Sequence, residues 1–239
     1  MKRISCIIFA VVLLFWGAYT VSAEQSETDP LGADFVDRLI FLGESTTSHL
    51  AQRSKASRRQ VWTNPSGTAR LDSTIADRPI RDPMSEQFLS PVELARRDQP
   101  EFIVLSFGLN GVMEFEKNTD DYVRKYQKLI DALAKASPST QFIIQSVYPV
   151  ADLSHQSNWQ FSVSPSEINQ KIDRLNDCMK KHCQATSCAD FIDTTVNLKN
   201  EAGFLLPSFT TDGIHLTEDA YREILAQFRE YPKRISTIE

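Results

Sequence analysis

The sequence predicts a three-layer α/β/α sandwich around a central, mostly parallel sheet of five strands. Five short runs rich in Ile, Val, Leu and Phe recur along the chain. Their apolar character is almost continuous, as in parallel strands covered on both faces. Longer stretches with apolar residues at helical spacing separate these runs. The two patterns alternate over one domain length, which points to parallel strands joined by helical crossovers.

The elements follow in order. Residues 24–34 (EQSETDPLGAD) are polar, contain Pro and Gly, and read as a tether or an extended lead-in to a domain spanning residues 35–239. Residues 38–42 form the first strand and residues 60–63 a weaker second. Residues 101–107 (EFIVLSF), 141–147 (QFIIQSV) and 189–192 supply the third, fourth and fifth. Helix starts are chemically marked. "SPVE" at residues 90–93 places a capping Ser, a Pro at the first helical position and a Glu at the third, and "SPSE" at residues 164–167 repeats the device. Residues 120–136 align Tyr122, Tyr126, Leu129, Ile130 and Leu133, with Thr119 as cap and Asp120 and Asp121 at the positive end of the helix dipole. Residues 217–231 align Tyr221, Ile224, Leu225 and Phe228. Arg96-Arg97 and Lys180-Lys181 read as solvated helix ends.

The first residues, MKRISCIIFAVVLLFWGAYTVSAEQ, have the make-up of an export leader. Lys2 and Arg3 precede an apolar stretch at residues 7–16, and Val21-Ser22-Ala23 offers small residues to a signal peptidase. The expectation is cleavage after Ala23 and a secreted or envelope location, with an uncleaved anchor as the alternative. No later segment is apolar enough to insert stably in a membrane. The formal charge is −5, and the leader carries Lys2 and Arg3 without an acid, so residues 24–239 are more negative still. Nucleic acid is therefore not an expected partner, because it requires a basic surface. Beyond Cys6 stand Cys178, Cys183 and Cys188. Their spacing lacks the two pairs of a structural zinc site. Cys183 and Cys188 can close a small loop under oxidising conditions, and Cys178 reads as a buried thiol.

In a doubly wound sheet, ligands sit outside the carboxyl ends of the strands. Three polar segments fall there: "GES" at 43–45, "NPSG" at 64–67 and "GLNG" at 108–111. Ser45 is either a helix cap or a nucleophile. His215 follows Asp212 by three residues across a tight turn, so one short segment presents a carboxylate and an imidazole together, as a serine nucleophile's base requires. Read alone, the pair is equally an ordinary turn before a helix. Asn110 offers either turn chemistry or a side-chain amide aimed at an oxyanion, with Gly108 and Gly111 allowing close backbone approach. Gly67 either completes a turn at Pro65 or lends an N–H to the same hole. His49 lies one helical turn after Ser45, facing the site or lying on the helix surface. Trp159, in a long connection after the fourth strand, and Phe209, before "TTDGIH", are either substrate-facing walls or ordinary packing.

Taken together, "FLGES", "GLNG" and "DGIHL", in that order, resemble the blocks of the SGNH (GDSL-type) hydrolase superfamily, and residues 193–221 resemble its bacterial carbohydrate-esterase-like members. The resemblance implies a flavodoxin-like fold and no metal or cofactor. By the same resemblance Ser45 is the nucleophile, His215 the general base and Asp212 its orienting partner. Asn110, Gly67 and the Ser45 N–H would form the oxyanion hole. It implies hydrolysis of short acyl esters on a small molecule or acylated polysaccharide. Lipase, lysophospholipase, thioesterase or O-acyltransferase activity, or an inactive binding relative, are the alternatives. Two positions depart from the pattern. Glu44 stands where the family has Asp, and Gly111 where it has an acid, so turn rigidity or substrate choice is open to change at both, and Glu44 joins His49, Trp159 and Phe209 as a candidate for lining the substrate. Gly-x-Ser-x-Gly, the elbow of the α/β-hydrolases, is absent.

Overall fold

The computed structural model describes residues 30–64, 66–67, 69–85, 87–152 and 161–235; the expected leader lies outside them. The elements run α1 (Pro30–Asp37), β1 (Leu39–Gly43), α2 (Ser45–Arg53), β2 (Val61–Trp62), β3 (Ile80–Arg81), β4 (Phe88–Leu89), α3 (Pro91–Asp98) and β5 (Phe102–Ser106). They continue with α4 (Val112–Phe115), α5 (Thr119–Ala136), β6 (Gln141–Gln145), α6 (Pro165–Thr186), β7 (Asp190–Ile192) and α7 (Glu218–Ile235). The five predicted runs make one parallel sheet in the order β2–β1–β5–β6–β7. From β1 the chain moves outward to β2, then crosses back to β5 on the other side of β1. A doubly wound sheet opens a ligand crevice at such a reversal of strand order. Here it lies between the carboxyl ends of β1 and β5, where Gly43 pairs with Ser106.

The side-chain period of two divides the core. Leu42, Ile103, Leu105 and Ile144 face one way, against residues of α3, α5 and α6. Leu39, Phe41, Val104 and Ile143 face the other, against α1 and α7. Both faces being dry explains why the strands read as apolar runs without alternation.

The marked caps form. Ser90 accepts from the Glu93 N–H while the Glu93 carboxylate accepts from the Ser90 N–H, and Ser164 accepts from the Glu167 N–H. The cap of α5 is Asn118, whose side chain accepts from the Asp121 N–H, rather than Thr119.

Four expectations are corrected. Residues 30–37 are helix α1, not an extended lead-in. Gly32 lets α1 lie against α7, since a Cβ there would sit 2.6 Å from the Arg229 carbonyl oxygen, and Phe35 packs on the Phe102 and Tyr231 rings. Arg97 is not a solvated helix end: its guanidinium grips the fully buried Asp82 carboxylate at 2.6 and 3.1 Å. That contact clamps the unforeseen β3–β4 hairpin to α3, and it holds the Asp82 carboxyl far below the usual range. Finally, Cys183 rather than Cys178 is the buried thiol, and among the described residues no disulfide joins Cys178, Cys183 or Cys188. Among the described residues no helix is long and apolar enough to cross a membrane.

Candidate active site

Ser45 is the first residue of α2, directly beyond the end of β1. The first N–H groups of a helix lack intrahelical partners, so the serine sits among outward-facing donors at the positive end of the helix dipole. The second loop comes in beside it. Gly67, at φ +66°, lies so close that a Cβ would approach Ser45 Cα to 3.7 Å and Ser48 Cβ to 3.2 Å. Its N–H, one expected oxyanion donor, is donated to the Asn64 carbonyl at 3.0 Å. In this geometry Gly67 therefore closes a turn and gives Ser45 clearance.

The third loop is tied to both of the others. Asn110 donates from Nδ2 to the Ala69 carbonyl at 3.1 Å, which uses one of its two amide hydrogens. Glu44 reaches under the loop: its carboxylate accepts from the Leu109 N–H at 2.9 Å and the Asn110 N–H at 3.1 Å. Glu44 is buried, with 4% of its surface exposed, so it does not line the substrate as expected. Burial pushes its carboxyl up to about 7, against the pull of the N–H groups of Asn110, Leu109 and Gly108 and of Arg70. Gly111, where the family pattern has an acid, caps α4 without a side-chain bond.

Asp212 and His215 meet as their spacing allows. His215 Nδ1 lies 2.6 Å from Asp212 Oδ2, while Asp212 Oδ1 accepts from the N–H groups of His215 and Ile214 at 2.7 and 3.0 Å. Burial works to raise this carboxyl, but the His215 ring and the two N–H groups outweigh it and hold it below the usual range. With Nδ1–H on the carboxylate, Nε2 keeps its lone pair for a proton. The segment is anchored against α2. Arg53 donates to the Leu216 carbonyl at 2.6 Å, and buried Tyr221 donates to the Thr46 carbonyl at 2.6 Å. The His215 ring stands 4.9 Å from that of His49, so His49 faces the site rather than the helix surface. Burial, then Arg53 and His215, lower the His49 pKa and favour the neutral ring, and its buried Nδ1 has no hydrogen-bond partner among the described residues. Among the described residues no hydrogen bond joins Ser45 Oγ to His215. Serine–imidazole contacts often tighten only when substrate is bound.

Trp159 lies outside the described residues. Phe209 ends a short 3-10 turn (Pro207–Phe209) and packs, half-buried, on the α7 side of the core. A cavity of about 340 Å³, unforeseen from the sequence, opens one turn along α2 from Ser45. Ser48, Gln52, Thr63, Asn64 and Arg81 line it, and the clamped β3–β4 hairpin forms its far wall. Ser48 at three residues from Ser45 was the only local signal; the hairpin gave none. Among the described residues no group of three or more His, Cys, Asp or Glu side chains is arranged to hold a metal.

The sequence model of the GDSL-like lipase/acylhydrolase family matches residues 41–223. The chain belongs to that family. It is a member of the SGNH hydrolase superfamily and, with it, a serine hydrolase acting on acyl esters. Solved structures share the fold at low identity. A GDSL-like lipase from Bacteroides thetaiotaomicron is 19% identical, with a TM-score of 0.54 over 84% of this chain and 90% of that one. A candidate acylhydrolase from Bacteroides fragilis is 18% identical, with a TM-score of 0.51 over 90% and 98%. A candidate platelet activating factor from Streptococcus pneumonia is 16% identical, with a TM-score of 0.55 over 86% and 92%. No curated protein matches the chain significantly.

Proposed function

We propose that the chain is an extracytoplasmic esterase that removes short acyl groups, acetyl foremost, from a carbohydrate or cell-envelope polymer. Ser45 is the nucleophile, His215 the general base and Asp212 its orienting carboxylate, while Asn110 and the Ser45 N–H are the oxyanion donors. The observation that carries this reading is the Asp212–His215 pair, held against α2 at the crevice where Ser45 stands. Ser45 Oγ attacks the acyl carbonyl as its proton passes to His215 Nε2. The developing oxyanion takes the second Asn110 amide hydrogen and the Ser45 N–H. Collapse transfers the proton to the departing alkoxide and leaves an acyl-serine. Water, activated by the same ring, then releases the acid.

The cavity beside Ser48 favours a hydrated leaving group over a long acyl chain. Its wall mixes hydroxyl, amide and guanidinium groups with the small apolar surfaces of Ala51, Val61 and Pro83, as suits a sugar, whereas a fatty-acyl groove requires a predominantly apolar lining. The leader supports an extracytoplasmic substrate. Transfer of the acyl group to a sugar hydroxyl would use the same residues.

A fluorophosphonate probe tests the site: it should label the wild type on Ser45 and leave folded Ser45→Ala unlabelled. Labelling that persists in Ser45→Ala removes Ser45 from the reading. Turnover of p-nitrophenyl acetate should exceed that of the palmitate ester by at least tenfold, and the reverse order would point to a lipase. Acyl transfer to an added glycan, with negligible hydrolysis, would make the chain a transferase. N-terminal sequencing of exported protein should begin at Glu24.

A further inference from the structure

We infer that Glu44 is a positioning residue whose charged carboxylate holds the Asn110 loop against the nucleophile turn, making the oxyanion side of the site dependent on its ionisation. The inference rests on the hydrolytic reading above and specifies its regulation by pH.

Glu44 is anchored at both ends. Its N–H donates to the Ser106 carbonyl at the end of β5, and its carbonyl accepts from the Ser48 N–H in α2. The backbone therefore moves with the turn that carries Ser45. The side chain runs the other way, and its two oxygens take the Leu109 and Asn110 N–H groups separately. Only a carboxylate can accept with full strength at both oxygens. Protonation turns one oxygen into a hydroxyl donor, which weakens one of the two bonds and loosens the loop by which Asn110 is aimed. Loosening of that loop matters because an oxyanion donor works only at short range.

The surroundings leave the carboxyl poised. Arg70, in the segment after β2, is the cation that faces it, and from α5 it is faced by the phenols of Tyr122 and Tyr126. Both phenols are buried, and both donate to the Phe107 carbonyl rather than to the acid. Burial raises both of them above the usual phenol value, so they stay neutral across the working range. The carboxyl thus changes charge at about 7 rather than near 4.5.

Amide NMR reads this without reference to turnover. In the wild type, the Leu109 and Asn110 backbone N–H signals should titrate together with a midpoint near 7, and in Glu44→Gln that titration should vanish. A midpoint below 5, or the same titration in Glu44→Gln, overturns the inference. In kinetics, Glu44→Gln should lower kcat roughly ten- to hundredfold with KM changed less than threefold, and should remove one proton from the acid limb of the pH profile. Glu44→Asp should restore that limb. A Glu44→Gln profile superimposable on the wild type overturns the inference, as does a loss confined to KM. Should Glu44→Gln fail to fold, the wild-type titration and Glu44→Asp decide. A wild type whose amides titrate as stated but which turns over no ester defeats the hydrolytic reading alone.

Discussion

His215 depends on a neighbour for its usefulness as a base. Asp212 binds its ring through Oδ2 and its backbone through Oδ1, so the two jobs can be separated. Asp212→Asn keeps an oxygen for the backbone N–H groups but offers Nδ1 an NH₂, which favours the tautomer with its lone pair on the wrong nitrogen. The expected outcome is a fall in kcat of roughly a thousandfold or more with little change in stability. Steady-state kinetics beside a urea melt would check it, and retention of more than a tenth of kcat would remove Asp212 from its role. The pair was legible because three residues across a glycine turn keep both side chains together. The His49–His215 contact was not, since it joins α2 to a segment far along the chain and only packing decides which face of α2 turns inward.

The elements that form by local rules were read nearly to the residue. The boxes at Ser90 and Ser164 and the apolar runs of β1, β5 and β6 contain their own instructions. The β3–β4 hairpin does not. Its two-residue strands contribute Ile80 alone to the buried core, and it is held further by Asp82, whose ion pair with Arg97 bridges fifteen positions. Removing Arg97 strands a buried carboxylate, so Arg97→Ala should cost roughly 3 kcal/mol, read as a lower urea midpoint with an unchanged slope. The wall of the Ser48 cavity should loosen with it, raising KM for a bulky glycan ester more than for p-nitrophenyl acetate. Equal effects on both substrates would sink the assignment of that wall to the leaving group. Because the Asp82 carboxyl is depressed, the clamp stabilises above the unfolded value near 4 and fades as pH falls below it.

Across the whole molecule, the site opposes stability. Glu44 is raised from 4.5 to about 7 by burial, so between those values the folded chain keeps a proton that the unfolded chain has released. Its contribution is therefore present below 4.5 and is lost as pH rises through 7, amounting to ~3 kcal/mol. Relative to Glu44→Gln, the wild type should lose about that much stability between pH 5 and pH 8. Urea melts at both pH values would check this, and a difference independent of pH would refute it. The same rise in pH should increase activity, a trade between stability and function common at working sites.

The sequence alone determined the layers, the five strands of the central sheet and the order in which Ser45, Asn110, Asp212 and His215 arrive, because periodicity, capping and turn chemistry act over a few residues. Tertiary structure decided what Glu44 does beside Ser45. A carboxylate's role depends on which distant N–H groups close over it, and those of Leu109 and Asn110 reach it only once β1 and β5 pair in register.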